Sequence, residues 1–484
     1  MGFKTDTSFL RFLTMGAAGV RSTLKAMADI GFQPIELERY CTSNKIWSTK
    51  IKRLRVPDIL CVRTGVRVEV RSKSDLKVRM SDAPDNPDRK WDASLRDDDF
   101  VAFVACDYDD VNANLGPPVF FMVSDLRASV DCTKLGPPKS ASEGAERDRE
   151  WPSTVPSDSG EVVALADGKI STVLASGRRQ SYQLKNKHAY VSVGEKFIGA
   201  ASIIAGAVPR LAPVTQLRSR RWDCRKALAS KEAVDRYAAA RAVPYSADAK
   251  SWAEDALARA LKSESDDRVA LELTASAARL GGEFGMKGIS SVIWSHERDD
   301  LRMEGVLILA ELAIPLAARE LVRVAKSEVF SGSEIRQAAV WGLGKSGCRS
   351  YRNLIAFIAD NDEGVALHAI GAFGPDTPVD VVSELVSMLV TGSSRIRAAA
   401  SATLKVISSD TAIKEVIRAA KSGGDPTWLL ATLGRFPASR VRELLAGDSL
   451  LSRVEPLLVL GHEVNWLANP AVAKDLDFLL MQSL

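Results

Sequence analysis

Cysteine pairs at metal-binding spacing are missing from this 484-residue chain. Its six cysteines, Cys41, Cys61, Cys106, Cys132, Cys224 and Cys348, form no CxxC. Neither structural zinc nor a disulfide framework is expected. Cys61 and Cys106 lie in apolar runs and read as buried free thiols. Histidine is scarce: His188, His296, His368 and His462 are far apart and form no close metal pair. His368, inside GVALHAIGAF, reads as a core or interface residue. GxSxG, HExxH and GxxxxGK[ST] are absent, which removes common hydrolase, metalloprotease and P-loop ATPase readings. No glycine-rich patch has the strand–GxGxxG–helix context of a dinucleotide site. Long apolar runs are missing too. No window reaches the roughly 18 residues that a membrane span needs, and the run from Val306 to Ala317 is broken by Glu311. Met1 to Leu13 does not read as a signal peptide. These absences make a cytoplasmic protein with no membrane partner the expectation.

A strong net charge is absent as well: 65 Lys and Arg against 61 Asp and Glu leave +4. The local distribution says more. Between Arg39 and Arg79 there are twelve basic residues and three acidic ones, Asp58, Glu69 and Asp75. That imbalance suits a polyanion, although a solvated surface gives the same composition. The apolar content of 46% is ordinary for a globular chain, and the length suggests two to four domains.

Three blocks are expected. Residues 1–134 alternate helix and strand signals. Ser8 to Asp29 reads as a helix weakened by Gly16 and Gly19, and Phe32 to Arg39, Asp58 to Arg63, Val66 to Arg71, Phe100 to Cys106 and Val119 to Val123 read as strands. In VRVEVR the valines point one way and Arg67, Glu69 and Arg71 the other. Residues 135–159, with four prolines, read as a linker. Residues 160–212 carry short strands punctuated by glycine and predict a small all-β module. Residues 213–484 are helical and repetitive. DRVALELTASAARLG, LRMEGVLILAELA, EIRQAAVWGLGKSG, EGVALHAIGAFG and SRIRAAASATLKV share a polar opener, small residues and a Leu or Phe face. Arg268, Arg302 and Arg336 are 34 residues apart. Two antiparallel helices per unit fit that period.

Pro57-Asp58 opens one expected strand and Glu69 lies in the next, eleven residues on. A tight turn near Thr64 and Gly65 makes the two strands antiparallel neighbours. Two carboxylates held close together repel, and a divalent cation with oxygen preference, such as Mg²⁺, relieves that repulsion. A metal-bound water can serve as nucleophile. Arg71 leaves the same face, where a cation stabilises charge growing on a phosphate. Lys73 lies two residues further on. This order of helix, strand, Pro-Asp strand, Glu-x-Lys strand, helix and strand resembles the PD-(D/E)xK, or restriction-endonuclease-like, nuclease superfamily. The matching pieces are Pro57-Asp58 and Glu69-Val70-Arg71, with Phe100 to Cys106 as the next core strand. The resemblance covers about the first 130 residues. It implies a mixed sheet flanked by helices and Mg²⁺- or Mn²⁺-dependent cleavage of nucleic acid. Asp58 and Glu69 would be metal ligands; of Glu36 and Glu38, which occupy the first strand region, Glu38 is favoured as an assisting ligand. The departure is Arg71 at the lysine position. Arginine keeps the charge but carries no proton at neutral pH, so Lys73 takes over or the site is inactive.

Around this pair Lys45, Trp47, Lys50, Lys52, Arg53 and Arg55, with Lys77 and Arg79, offer phosphate contacts and one stacking ring. Trp47 reads equally well as a partly buried surface anchor. Arg89, Lys90 and Trp91 precede a short helical stretch. Asp97, Asp98 and Asp99 read as a strand-entry turn, with a second metal as a weaker alternative. The run YVSVGEKFIGAASIIAG from Tyr190 resembles the barrel-sandwich or biotinyl-lipoyl-like domains, and a generic small barrel fits equally. No lysine has the carrier flanks, so no covalent cofactor is expected. The helical block resembles HEAT-like or armadillo-like repeats, whose helix-start arginines more often pair with an acid of the neighbouring repeat than form a basic ridge. The favoured reading is a metal-dependent endonuclease acting on DNA in preference to RNA. Its repeats would bind substrate or a protein partner, a homodimer is compatible with cutting two strands, and a cutter joined to a scaffold suits anti-phage defence. The alternatives are a nuclease-like protein without activity that binds nucleic acid or acts as a scaffold, and a pure interaction solenoid with an unrelated α/β cap.

Overall fold

In VRVEVR the alternation is decisive: valine on one face and charge on the other can suit only a strand that divides two environments. The computed structural model describes residues 7–37, 47, 49, 51, 54–108, 113–139, 146–210, 222–345, 347–423 and 426–463. Its N-terminal part holds helix α1 (Thr7–Asp29) and strands β1 (Pro34–Glu36), β2 (Ile59–Cys61), β3 (Arg67–Lys73), β4 (Arg79–Asp82), β5 (Phe100–Tyr108), β6 (Ala113–Leu115) and β7 (Val119–Met122). The main sheet runs β1-β2-β3-β5-β6, with β7 also paired to β5. β1, β2 and β3 form an antiparallel meander, and β3 lies parallel to β5 from Val68↔Phe100 to Lys73↔Ala105. Gly65, at φ +68°, makes the turn between β2 and β3.

α1 covers the apolar face of this sheet, packing Val20 and Met27 on Ile59, Val68, Val70, Phe100 and Val104. Gly19, which weakens the isolated helix, lets α1 approach β3 closely: a Cβ at that position would collide with the Ser72 hydroxyl. The family pattern expects a helix in the crossover from β3 to β5. That stretch instead forms β4 and a single 3₁₀ turn, Pro87–Arg89, because Pro84 and Pro87 among Asp82, Asp85 and Asp88 favour turns over a helical run.

Residues 135–159, expected as a linker, contain strands. β8 (Lys134–Leu135) and β9 (Arg147–Glu150) complete a three-stranded sheet, β4-β9-β8. Trp151 is fully buried and donates Nε1–H to the Leu126 carbonyl at 3.1 Å. The next block makes two small open sheets, β13-β12-β11-β15 and β10-β16-β14. They comprise β10 (Ser153–Thr154), β11 (Gly160–Ala166), β12 (Lys169–Leu174), β13 (Arg179–Gln183), β14 (His188–Ala189), β15 (Lys196–Phe197) and β16 (Ala205–Gly206). They share a core of Val162, Ile170, Leu174, Phe197 and Ile204. The expected barrel is not closed among the described residues: two- and three-residue strands are too short to seal a cylinder.

From Cys224 onward the described residues are helical. Ala233–Ala242, Asp267–Arg279, Asp299–Leu312, Glu334–Leu343, Glu363–Gly371, Ser394–Ile407, Thr427–Leu433 and Leu450–Glu463 lie side by side in one row. A second helix, such as Glu283–Ser295 or Pro315–Ala325, intervenes between successive members. The five similar sequence segments are all first-row helices. Ala310, Ala338 and Ala339 are completely buried, which allows close approach between neighbours. The chain therefore ends in a HEAT-like helical repeat array. The Arg336 guanidinium pairs with Asp360 through bonds of 2.9 and 2.6 Å, Arg440 pairs with Asp410, and Arg268 turns back to Asp266. No helix among the described residues is long and apolar enough to cross a membrane.

Trp47 belongs to the array. It is 4% exposed, edge-on to Trp341 at 6.4 Å and 5.2 Å from the His368 ring. The Thr49 amide donates to Glu334 at 2.7 Å, and Ile51 joins the same core. Burial pushes the His368 imidazole down to about 4, so it packs here as a neutral ring. Trp47→Ala is expected to destabilise the array by about 3–5 kcal/mol, read as a lower urea midpoint; an unchanged midpoint would show that this docking contributes nothing.

Candidate metal and nucleic-acid site

The β2–β3 pairs are Ile59↔Val68 and Leu60↔Arg67, so Asp58, just before β2, and Glu69, just after Val68, adjoin the first pair on neighbouring strands. By alternation both face away from the side on which Ile59 and Val68 are buried. Asp58 is half-buried and stands in for a strand residue on both sides. Its carbonyl accepts from Leu37 N–H at 2.8 Å, and its Oδ2 accepts from Val70 N–H at 2.7 Å. Glu69 is 15% exposed and pairs with Arg71 at 2.6 Å. Arg67, Glu69, Arg71 and Lys73 form one polar column on β3.

The column occupies a seam. On one side Leu37 and Leu60 pack on Tyr237 and Ala239 of the helical array. On the other, Val101 and Phe103 of β5 pack under Met80, Trp91 and Trp151. At one end Arg67 is buried and its guanidinium holds Asp99 through bonds of 2.8 and 2.5 Å. At the other, Lys73 lies among Arg71, Arg79, Lys139 and Asp148. Burial, reinforced by the neighbouring Arg71 and Arg79, pushes its amine down to about 8. Lys73 therefore has the proton-carrying capacity that Arg71 lacks.

The other expected contacts are distributed differently. Trp47 is not a base-stacking ring, because its indole is enclosed by the array. Lys77 lies 3.9 Å from Asp75 and 4.0 Å from Glu150. Arg79 bonds Asp75 at 3.2 Å. Both are thus set among carboxylates of the adjoining small sheet, and neither is an isolated phosphate contact. Arg55 is exposed. Glu38, Lys45, Lys50, Lys52 and Arg53 lie outside the described residues. Glu36 pairs with Ile59 and so faces away from Asp58 and Glu69. Asp99 is taken by Arg67 and the Arg96 amide, and Asp97 by Arg127, so the Asp97–Asp99 turn is an ion-pair hub and does not gather a metal site. Among the described residues no three His, Cys, Asp or Glu side chains converge to hold a metal. Asp58 accepts from the amide of Val70, the residue after Glu69, so these two acidic residues are near neighbours in the sheet. Sequence reading missed the roles of Arg67 with Asp99 and of Lys139 beside Lys73; only the charge in VRVEVR hinted at the first.

No family model matches the chain, and no curated protein matches it. Solved structures similar to it include the complex of CpcE and CpcF of phycocyanin lyase from Nostoc sp. PCC7120, at 18% identity over 52% of this chain and 100% of that one, TM-score 0.26. YibA of Escherichia coli matches at 13% identity over 53% of this chain and 90% of its own, TM-score 0.26. An engineered protein matches at 16% identity over 54% and 87%, TM-score 0.23. The overlap is low, so the helical rows described above, and not these likenesses, establish the array.

The Lys73 shift has a sign that can be measured. Its charged form is penalised in the fold, so stability is lower below pH 8 and recovers as pH rises from about 8 towards the ordinary 10.5. Lys73→Met is expected to melt about 2–4 °C above the parent at pH 7, with the gap narrowing by pH 10; a gap that does not change with pH would contradict the burial of the amine.

Proposed function

We propose that the N-terminal domain hydrolyses phosphodiester bonds of nucleic acid, DNA in preference to RNA, with Mg²⁺ or Mn²⁺. The observation that supports this reading is the Asp58 carboxylate bound to the Val70 amide, next to Glu69, at the end of the β2–β3 pairing, with Arg71 and Lys73 further along β3. The donor set fits such an ion: two carboxylates are hard oxygen ligands, and a small divalent cation bound by one or two of them keeps waters for chemistry. Asp58 and Glu69 would hold it, and when bound it supplies Lewis acidity to the phosphate and a more acidic water. The chain's own residues do the rest. The Val70 amide fixes the Asp58 carboxylate. Arg71 neutralises Glu69 in the free protein and is within reach of a substrate phosphate on the same face. Lys73, with its amine near 8, accepts or returns a proton at neutral pH. The helical array would hold the substrate or a protein partner.

The 2.6 Å pair between Arg71 and Glu69 favours a second reading. A permanent cation at that carboxylate replaces the metal's charge, and the domain then binds nucleic acid without cutting it.

Incubation with plasmid, single-stranded DNA and RNA, with Mg²⁺, Mn²⁺ or EDTA, separates the two. Metal-dependent cleavage that falls by about 10²-fold or more in Asp58→Ala and Glu69→Ala, and in Lys73→Ala more than in Arg71→Ala, is the expected result. Binding without cleavage supports the second reading. Cleavage unchanged in all four variants overturns the assigned site.

A further inference from the structure

Where the β2–β3 turn meets the first helices of the array there is an open cavity of about 670 Å³, lined by Arg63, Arg67, Arg96, Trp222 and Lys226 among others. That volume is in the range of small-molecule sites. It lies at the Arg67 end of the β3 column, away from Lys73. Its walls belong to different parts of the chain: Leu60 to Arg67 come from the sheet, Arg96 from the β5 approach, and Trp222 to Ala238 from the array. The turn holds the aromatic wall closely, since a Cβ on Gly65 would sit 2.5 Å from the Trp222 Cβ.

The charges of this cavity are unevenly spent. Each carboxylate has its partners. Asp223 caps the helix Cys224–Ala227 by accepting from the Arg225 and Lys226 amides. Asp235 takes Arg96 at 2.7 Å and the Ser230 hydroxyl at 3.1 Å. Asp99, behind Arg67, accepts both of its bonds and the Arg96 amide. The cations are less fully used. The Arg67 side chain is 4% exposed, and its buried Nη1 has no hydrogen-bond partner among the described residues, the Asp235 carboxylate lying 3.9 Å away. Arg63 and Lys226 are exposed and form no ion pair among the described residues, Arg63 making only a 3.5 Å contact with the Gly31 carbonyl. A buried guanidinium N–H without an acceptor is costly, and its charge behind the cavity wall attracts an oxyanion that enters the cavity. Two exposed cations on the wall of the same cavity suit a doubly charged group better than a single carboxylate, and guanidinium forks match phosphate oxygens. The half-buried indole of Trp222 adds a flat apolar wall.

We propose that this cavity binds a free nucleoside monophosphate, its phosphate among Arg63, Arg67 and Lys226 and its base against Trp222. The site stands apart from Asp58 and Glu69 and does not rest on the hydrolytic reading.

Isothermal titration of the full chain with AMP, with inorganic phosphate and with a 5′-phosphorylated oligonucleotide tests it. Saturable AMP binding is expected, with inorganic phosphate weaker. The double variant Arg63→Glu, Lys226→Glu should weaken AMP by about tenfold or more; both side chains are exposed, so the fold is retained. Trp222→Leu should bring AMP down towards the affinity of phosphate. Asp58→Ala should leave AMP binding unchanged, which separates this site from the proposed hydrolytic one. No saturation by AMP up to about 1 mM, AMP binding unaltered by the double variant, or binding of the oligonucleotide alone would each overturn the proposal.

Discussion

The ion pair between Arg67 and Asp99 is the constraint on which the N-terminal sheet depends. β3 and β5 are parallel, so no tight turn can set their register, and the long connection between them holds no α-helix. Arg67 opens β3 and Asp99 immediately precedes β5. Their bidentate contact, in a place where both are almost fully buried, fixes the two strand starts against each other. Asp99 also receives the Arg96 amide, and its carbonyl receives the Val123 amide. A buried pair of this kind adds little net stability, but losing one partner strands the other charge at about 3–5 kcal/mol. Its worth lies in specifying register, and the position of Glu69, two residues along, follows from it.

One strand thereby separates three surroundings. Its valines face α1. Its charged residues run along the seam between the core shared with the helical array and the core under Trp151. The charges alternate in a useful order: Arg67 is locked, Glu69 and Arg71 are paired, and Lys73 is left among other cations with a weakened hold on its proton. Lys73 is perturbed chiefly by its burial and then by the neighbouring Arg71 and Arg79.

Much of this was legible in the sequence. The alternation in VRVEVR, the turn at Thr64-Gly65 and the Pro-Asp opening place Asp58 beside Glu69 by local rules alone. The 34-residue spacing of Arg268, Arg302 and Arg336 marks the first-row helices because each must bury the same face. Other features depend on contacts distant in sequence, which no local pattern encodes. Residues 147–154 carry proline and charge and look like a tether, yet they are held by β4, nearly seventy residues earlier. Trp47 sits among lysines and so looks like a surface ring, but its place is decided by Trp341 and His368. Gly19 looks like a helix defect until Ser72 is set against it. The barrel expectation failed for a simpler reason: glycine spacing reports turns, and closure needs strand length.

The seating of Trp47 and Thr49 against helices nearly three hundred residues away bears on how the chain reaches its final state. Closing so long a loop has an entropic cost that is repaid only once its contacts form. The receiving surface is made by separate repeats, since Trp341 and His368 come from successive first-row helices. That surface must exist before the indole can settle on it. During synthesis Trp47 cannot complete these contacts until the helices bearing Trp341 and His368 have been made. The sheet can meet the first helices of the array early, but the docking of Trp47 is completed only after its later partners exist.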